Sequence, residues 1–324
     1  MSDAFHSALP TPNSAFHQRI TIVGAGAIGS YYGARLAQAG QDVRFLLRSD
    51  FDHVSQYGMR IKSVDGDFSL KPDQFRCSTT TEELGPCELV IIALKTTSNH
   101  DLLTLLPPLL HEDTQILTLQ NGLGNEEFLA EHFGADRILG GLCFVCINRL
   151  SPGVIDHSAQ GRILMGEFNG PLRPRTEEIA KAFEEAKIEC RAVKNLASVH
   201  WRKLVWNIPF NGFSIVAGGI DTQQMLASPP LAALVESLMH EVMDISAALG
   251  MPQRPTLAGD MIAETRNMGA YRPSSLIDYQ DGREVEVESI WGEPLRRAKA
   301  VGAPCGRLET LYYLLLHTTR KVTN

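Results

Sequence analysis

The sequence predicts an α/β N-terminal domain, built on a mostly parallel sheet with added hairpins and followed by an all-α C-terminal domain. Three observations carry that reading. From Arg19 to about Val193, short runs rich in β-branched residues alternate with helix-patterned ones, the pattern of parallel strands joined by crossover helices. A glycine-rich turn links the first such strand to the first helix. After about Lys194 the alternation stops and apolar residues recur at helical spacing.

Residues 1–18, MSDAFHSALPTPNSAFHQ, lack the basic and unbroken apolar stretches of a secretory signal and read as a flexible polar arm. Strands are predicted at residues 20–23, 42–47, 89–94, 115–119 and 138–146. Residues 59–63 and 68–70 flank Asp65-Gly66, and residues 154–157 and 162–166 flank a polar turn containing Gly161, so both pairs read as hairpins. In the second half, Leu231, Leu234, Val235, Leu238, Val242, Ile245 and Leu249 line one face of a helix. It starts after Ser228 with Pro229-Pro230 and stops at Gly250 with Pro252. Residues 295–301 and 308–318 predict further helices. The chain thus divides into an arm at 1–18, a dinucleotide-binding domain at 19–193 and a helical substrate and catalytic domain at 194–324.

The chain has 324 residues, enough to bury a large core, since a protein of this size hides about three quarters of its unfolded surface. A net charge of −7 with no basic block argues against nucleic acid or an anionic membrane surface as partner. The longest apolar runs fall short of the ~20 residues that span a bilayer. Six scattered cysteines are not a disulfide framework and read as reduced thiols of a cytoplasmic protein. Cys143 and Cys146 have metal-like spacing, but in a strand side chains three apart point to opposite faces, so they read as structural. The ten histidines show no paired ligand spacing, and no metal is expected. The sequence is compatible with a homodimer and does not fix the oligomeric state.

Arg19-Ile-Thr-Ile-Val23 runs into Gly24-Ala25-Gly26-Ala27-Ile28-Gly29 and then a helix-patterned stretch, the strand, G-x-G-x-x-G and helix order of a Rossmann-like domain. Gly24 permits the tight turn, Gly26 lets backbone approach a pyrophosphate, and Gly29 allows close helix packing. At the end of the second strand, a carboxylate would bind a ribose 2′-hydroxyl and repel a 2′-phosphate. Here Arg48 occupies that place, which predicts NADP(H); Asp50, two residues on, leaves NAD as the alternative.

A reductase needs a proton donor beside the carbonyl it reduces. Lys203, Asn207 and Asn211 follow at i, i+4 and i+8, so they share one helix face beside apolar Leu204, Val205, Trp206 and Ile208. Such a face could line a cleft, where partial burial would draw a lysine toward neutrality and suit it to general acid work. A solvated helix face is the plainer alternative.

At this point the sequence resembles the ketopantoate reductase (2-dehydropantoate 2-reductase) family, from Arg19 to about Leu315. The resemblance rests on the glycine loop with Arg48; Ile92-Ala-Leu-Lys95; Leu119-Gln-Asn121-Gly122; Ser151-Pro-Gly-Val-Ile-Asp-His157; Lys203, Asn207 and Asn211; Arg272-Pro-Ser274-Ser-Leu-Ile-Asp278; and Gly282-Arg283-Glu-Val-Glu286. It implies NADPH-dependent reduction of a 2-oxo acid, 2-dehydropantoate, to (R)-pantoate. It further implies that Lys203 donates the proton, Asn207 and Asn211 orient the substrate, and Ser274 holds its carboxylate. Glu286 falls near the substrate hydroxyl and the nicotinamide ribose, and Lys95 and Asn121 fall beside the nicotinamide. Two departures stand out. Pro209 inside the Lys203 helix should kink it and move Asn211 off the Lys203 face. Trp291, where the family often has a small polar pair, would reshape the pocket for another 2-oxo acid. These departures make a relative with a different substrate one alternative; a non-catalytic NADPH-binding regulator is the other, since fold does not fix function.

Overall fold

The computed structural model describes residues 18–320. The predicted arm, Gln18 apart, lies outside them. The strands are β1 (Arg19–Val23), β2 (Asp42–Leu46), β3 (Met59–Ser63), β4 (Phe68–Leu70), β5 (Arg76–Ser78), β6 (Leu89–Ile92), β7 (Gln115–Thr118), β8 (Ile138–Ser151), β9 (Val154–Glu167) and β10 (Cys190–Ala192). The helices of the first half and its insertions are α1 (Ala27–Gln38), α2 (Phe51–Tyr57), α3 (Thr81–Leu84), α4 (Leu102–Leu105), α5 (Asn125–Phe133) and α6 (Pro174–Glu185). Those of the second half are α7 (Leu196–Val216), α8 (Thr222–Ala227), α9 (Pro229–Ala248), α10 (Leu257–Asn267), α11 (Ser274–Gln280), α12 (Glu293–Ala300) and α13 (Gly306–Thr319).

The chain forms two compact units. Of the described residues, one takes in 18–94 with Asp101–Leu119 and Asp136–Lys194; the other takes in Lys95–His100, Gln120–Ala135 and 195–320. The first unit holds a 10-stranded sheet in the order β4-β3-β9-β8-β7-β6-β1-β2-β5, with β10 beside β9. Every pairing is parallel except β3 with β4 and β8 with β9. Central strands buried on both faces read as continuous apolar runs, and β6, Leu-Val-Ile-Ile, is buried at all its positions.

The β3 and β4 hairpin forms as predicted, with Gly66 in the left-handed region. The second predicted hairpin does not form. Residues 154–167 are one strand, paired antiparallel to β8, and Gln160 with Gly161 make an irregularity in it rather than a turn. Both residues have positive φ (61° and 126°), so the extra residue is absorbed as a bulge, which a polar, glycine-containing stretch signals as readily as a turn.

The second unit is helical, as the spacing predicts. On α9, Val235, Leu238, Met239, Val242 and Ile245 are buried, each stabilising by roughly 1.5–3 kcal/mol on transfer from water. With Trp201, Leu204, Val205, Ile208 and Phe210 of α7 they belong to one apolar core. Among the described residues no helix is long and apolar enough to cross a membrane.

Candidate active site

In the first unit, β1 delivers the chain into the glycine loop. Gly24 has φ +102°, and a Cβ there would lie 2.5 Å from the Leu94 nitrogen, so this position admits only glycine. A Cβ on Gly29 would lie 2.2 Å from the Gly24 carbonyl oxygen, which fixes how closely α1 approaches the loop. Gly26 differs. A Cβ there would meet nothing within 4 Å, and the residue is exposed. It is the N-cap of α1 with no side-chain cap, and the first turn carries no acidic residue. Between the half-buried Ala25, Ala27 and Ile28, the helix therefore presents uncapped N–H groups and its positive dipole end, which fits a pyrophosphate.

Arg48 lies just beyond β2 and is exposed. Asp50 is buried and committed inside the unit: its Oδ1 is 2.5 Å from an Arg149 guanidinium nitrogen, and Gly153 N–H donates to its Oδ2 at 3.4 Å.

In the second unit, α7 carries the Lys203 face. Lys203 Nζ donates to Asn121 Oδ1 at 2.8 Å. Asn207 is half-buried one turn on. The helix runs through Pro209 without interruption from Leu196 to Val216. Asn211 is only 1% exposed and its amide is occupied locally: Oδ1 accepts from Ser275 N–H at 3.0 Å and from Ser274 Oγ at 3.5 Å, while Nδ2 donates to the Asn207 carbonyl at 3.1 Å. Asn211 thus ties α11 to α7 and places the exposed Ser274 hydroxyl.

Lys95 forms a second cluster with Glu286. Its ammonium is 2.5 Å from Asp278 Oδ2 and 3.4 Å from Glu286 Oε2. Glu286 is buried, and its Oε1 accepts from Thr96 N–H at 2.8 Å. Asp278 spends its other oxygen on Arg283 Nε at 2.9 Å. Burial pulls the Lys95 ammonium downward, but the Glu286 and Asp278 charges outweigh it and hold Lys95 above the usual lysine value. Its proton is held tightly, which makes Lys95 a charge anchor rather than an acid.

The turn after Asn121 is seated on a π-turn, Glu288–Gly292. There the Glu293 N–H bonds to the Glu288 carbonyl, and Pro294 has no N–H, so the Ser289 carbonyl is left over within the helix. It accepts from Leu123 N–H at 2.9 Å. Gly122, with φ +84°, comes so near that a Cβ would lie 2.3 Å from that same oxygen. Thr96 Oγ1 and Ser289 Oγ, 3.0 Å apart, link the Lys95 loop to the same turn. Trp291 is not a pocket residue: it is fully buried in the core, and its indole N–H donates to the Ile208 carbonyl at 2.9 Å. Its bulk is used in packing, so it does not reshape a substrate pocket.

The model for ketopantoate reductase PanE/ApbA matches residues 20–170, and that for the ketopantoate reductase PanE/ApbA C terminal matches residues 195–318. The chain belongs to the ketopantoate reductase family. Among relatives in that family, the 2-dehydropantoate 2-reductase of Nostoc sp. is 40% identical over 303 residues, 92% of this chain and 94% of the relative. The crystal structure of the Geobacter metallireducens 2-dehydropantoate 2-reductase is 43% identical with a TM-score of 0.90, covering 92% of this chain and 99% of that one. The Methylococcus capsulatus 2-dehydropantoate 2-reductase structure is 32% identical with a TM-score of 0.86, covering 94% and 99%. The chain is accordingly an oxidoreductase of the ketopantoate reductase type with a Rossmann-like first half.

Sequence reasoning gave no role to Asp278, Thr96, Ser289, Asn99, Asn125, Glu126 or His200. Asp278 had a faint signal, one turn beyond Ser274 on α11. The buried His200 Nε2 lies 2.9 Å from the buried Glu126 Oε1, a hydrogen-bonded contact that no local pattern reveals. Among the described residues no cluster of His, Cys, Asp and Glu is placed to hold a metal.

Proposed function

We propose that the chain reduces 2-dehydropantoate to (R)-pantoate with NADPH, in the cytoplasm, with Lys203 as proton donor. The observation that carries the reading is the Lys203 ammonium held 2.8 Å from Asn121 Oδ1, on the helix face that also presents Asn207. When bound, NADPH supplies a hydride equivalent to the 2-carbonyl carbon, and the carbonyl oxygen then takes a proton, giving the secondary alcohol. Lys203 delivers that proton from Nζ. Asn121 aims the ammonium, and Asn207 orients the substrate oxygen. The exposed Ser274 hydroxyl turns its one proton from Asn211 Oδ1 to the substrate carboxylate, and Asn211, held by Ser275 N–H, acts as a positioning residue. Glu286 takes the hydroxyl side of the substrate and the nicotinamide ribose, with Lys95 balancing its charge and that of Asp278.

The cofactor assignment draws support from the open, uncapped N-terminus of α1 at Gly26 and from Arg48. The substrate assignment draws support from the relatives of the same type and from the burial of Trp291, which removes one reason to expect a different 2-oxo acid. The test is NADPH oxidation by the purified protein with 2-dehydropantoate, beside a panel of other 2-oxo acids and an NADH control. The reading expects the highest kcat/KM for 2-dehydropantoate with NADPH. A clear preference for another 2-oxo acid, or for NADH, would contradict it.

A further inference from the structure

Behind Asn121 runs a chain of three side-chain amides. Gln120 Nε2 donates to Asn99 Oδ1 at 2.8 Å, Asn99 Nδ2 donates to Asn125 Oδ1 at 3.0 Å, and Asn125 Nδ2 donates to the Asn121 carbonyl at 3.0 Å. Gln120 and Asn125 are buried, at 6% and 2% exposure, and Asn99 is half-buried. The direction is forced from its last link. A backbone carbonyl can only accept, so Asn125 must present its NH₂ to Asn121 and its oxygen to Asn99. Asn99 must then present its NH₂ to Asn125 and its oxygen to Gln120. Aligned amide dipoles in a largely buried run strengthen one another, and reversing Asn99 or Asn125 breaks two links of the chain. The chain ends on the residue whose side-chain oxygen receives the Lys203 ammonium.

We propose that Asn99 and Asn125 are positioning residues for the reduction: the amide chain fixes the Asn121 backbone, and through Asn121 Oδ1 it fixes the direction of the Lys203 proton. Asn99 lies in the Lys95–His100 segment, whose Thr96 holds Glu286, so one segment registers both the Glu286 cluster and the Lys203 contact. A directed run of amides has no need of this polarity for packing alone; apolar side chains of similar volume would fill the same space. The proposal rests on the assignment of Lys203 and Asn121 above.

The test uses the full-length enzyme. Asn99→Asp keeps the shape and still accepts from Gln120, but it cannot donate to Asn125, whose NH₂ is drawn toward the new carboxylate and away from the Asn121 carbonyl. The expected result is a kcat about ten-fold lower, with the KM for NADPH and the thermal midpoint little changed. Asn99→Gln, which keeps one amide donor end and one acceptor end, should return most of the turnover. Asn125→Ala removes the last link and should cost at least as much as Asn99→Asp. Wild-type kcat in Asn99→Asp and Asn125→Ala, beside lost turnover in Lys203→Ala, would overturn the positioning role and leave the Lys203 assignment standing. Full turnover in Lys203→Ala would overturn both. A fall in kcat that tracks loss of the thermal midpoint, with no rescue in Asn99→Gln, would reduce the amides to a packing role.

Discussion

Asp50 and Arg149 form a 2.5 Å ion pair that turns the Asp50 carboxylate, four residues beyond the end of β2, into the body of its own unit. Asp50 is thereby withheld from a ribose hydroxyl, while Arg48 stays exposed. Arg48→Ala should raise the KM for NADPH by about ten- to a hundred-fold, the worth of one charge-assisted contact, and leave the KM for NADH nearly unchanged. Equal effects on both cofactors in steady-state kinetics would remove Arg48 from the specificity argument.

The two glycines that frame the start of α1 should behave oppositely. Gly29→Ala drives a methyl to 2.2 Å from backbone, so it should cost roughly 1–3 kcal/mol or more in chemical denaturation. Gly26→Ala meets no neighbour within 4 Å and should fold with a thermal midpoint near that of the wild type. It should nevertheless weaken NADPH binding by about ten-fold or more, because the methyl stands where the pyrophosphate must approach. NADPH binding followed by fluorescence checks it, and unchanged affinity would refute the placement.

Removing Lys95 leaves Glu286 and Asp278 facing each other in the protein interior with only Arg283 nearby to offset Asp278. Lys95→Met should therefore destabilise by about 2 kcal/mol, less than for a wholly buried pair because the lysine side chain is 46% exposed. The raised Lys95 value sets the sign. Its contribution is complete below the ordinary lysine range and is lost as pH climbs through the raised one, so above neutral pH the gap between wild type and variant in chemical denaturation should stay constant until strong alkali and close there.

Glu88 gives the opposite pH dependence. The Arg19 guanidinium, hydrogen-bonded to it, holds its carboxyl down to about 2, against the opposing effect of burial. A depressed carboxyl contributes stability above its ordinary value of 4.5 and loses it as pH falls toward about 2. Glu88→Gln should be less stable than wild type at neutral pH, with the difference shrinking through that window. A constant difference across an acid titration of the unfolding midpoint would contradict the pairing.

The sheet and the helical half are legible because each rests on a local pattern: short runs rich in Ile, Val, Leu and Thr for β1, β6 and β7, and helical spacing for α9. β9 was misread because Gln160-Gly161 carries the chemistry of a turn, and only its partner β8 shows that the strand continues through it. The Lys203 face was legible for the same local reason. Its completion was not: Lys95 and Asp278 are 183 positions apart, and Lys203 and Asn121 are 82 apart. Asn211 shares the Lys203 periodicity, yet Ser275 of α11 claims its oxygen, which no spacing within α7 could announce. The seat of the Asn121 turn depends on Pro294, whose missing N–H leaves the Ser289 carbonyl open to Leu123.

The most direct test of the whole account is Lys203→Ala assayed for NADPH-dependent reduction of 2-dehydropantoate, with NADPH binding measured on the same preparation. A lost proton donor should lower kcat by about a hundred-fold or more and leave NADPH affinity within about three-fold of wild type. Turnover near the wild-type rate would contradict the assignment of Lys203 as the acid.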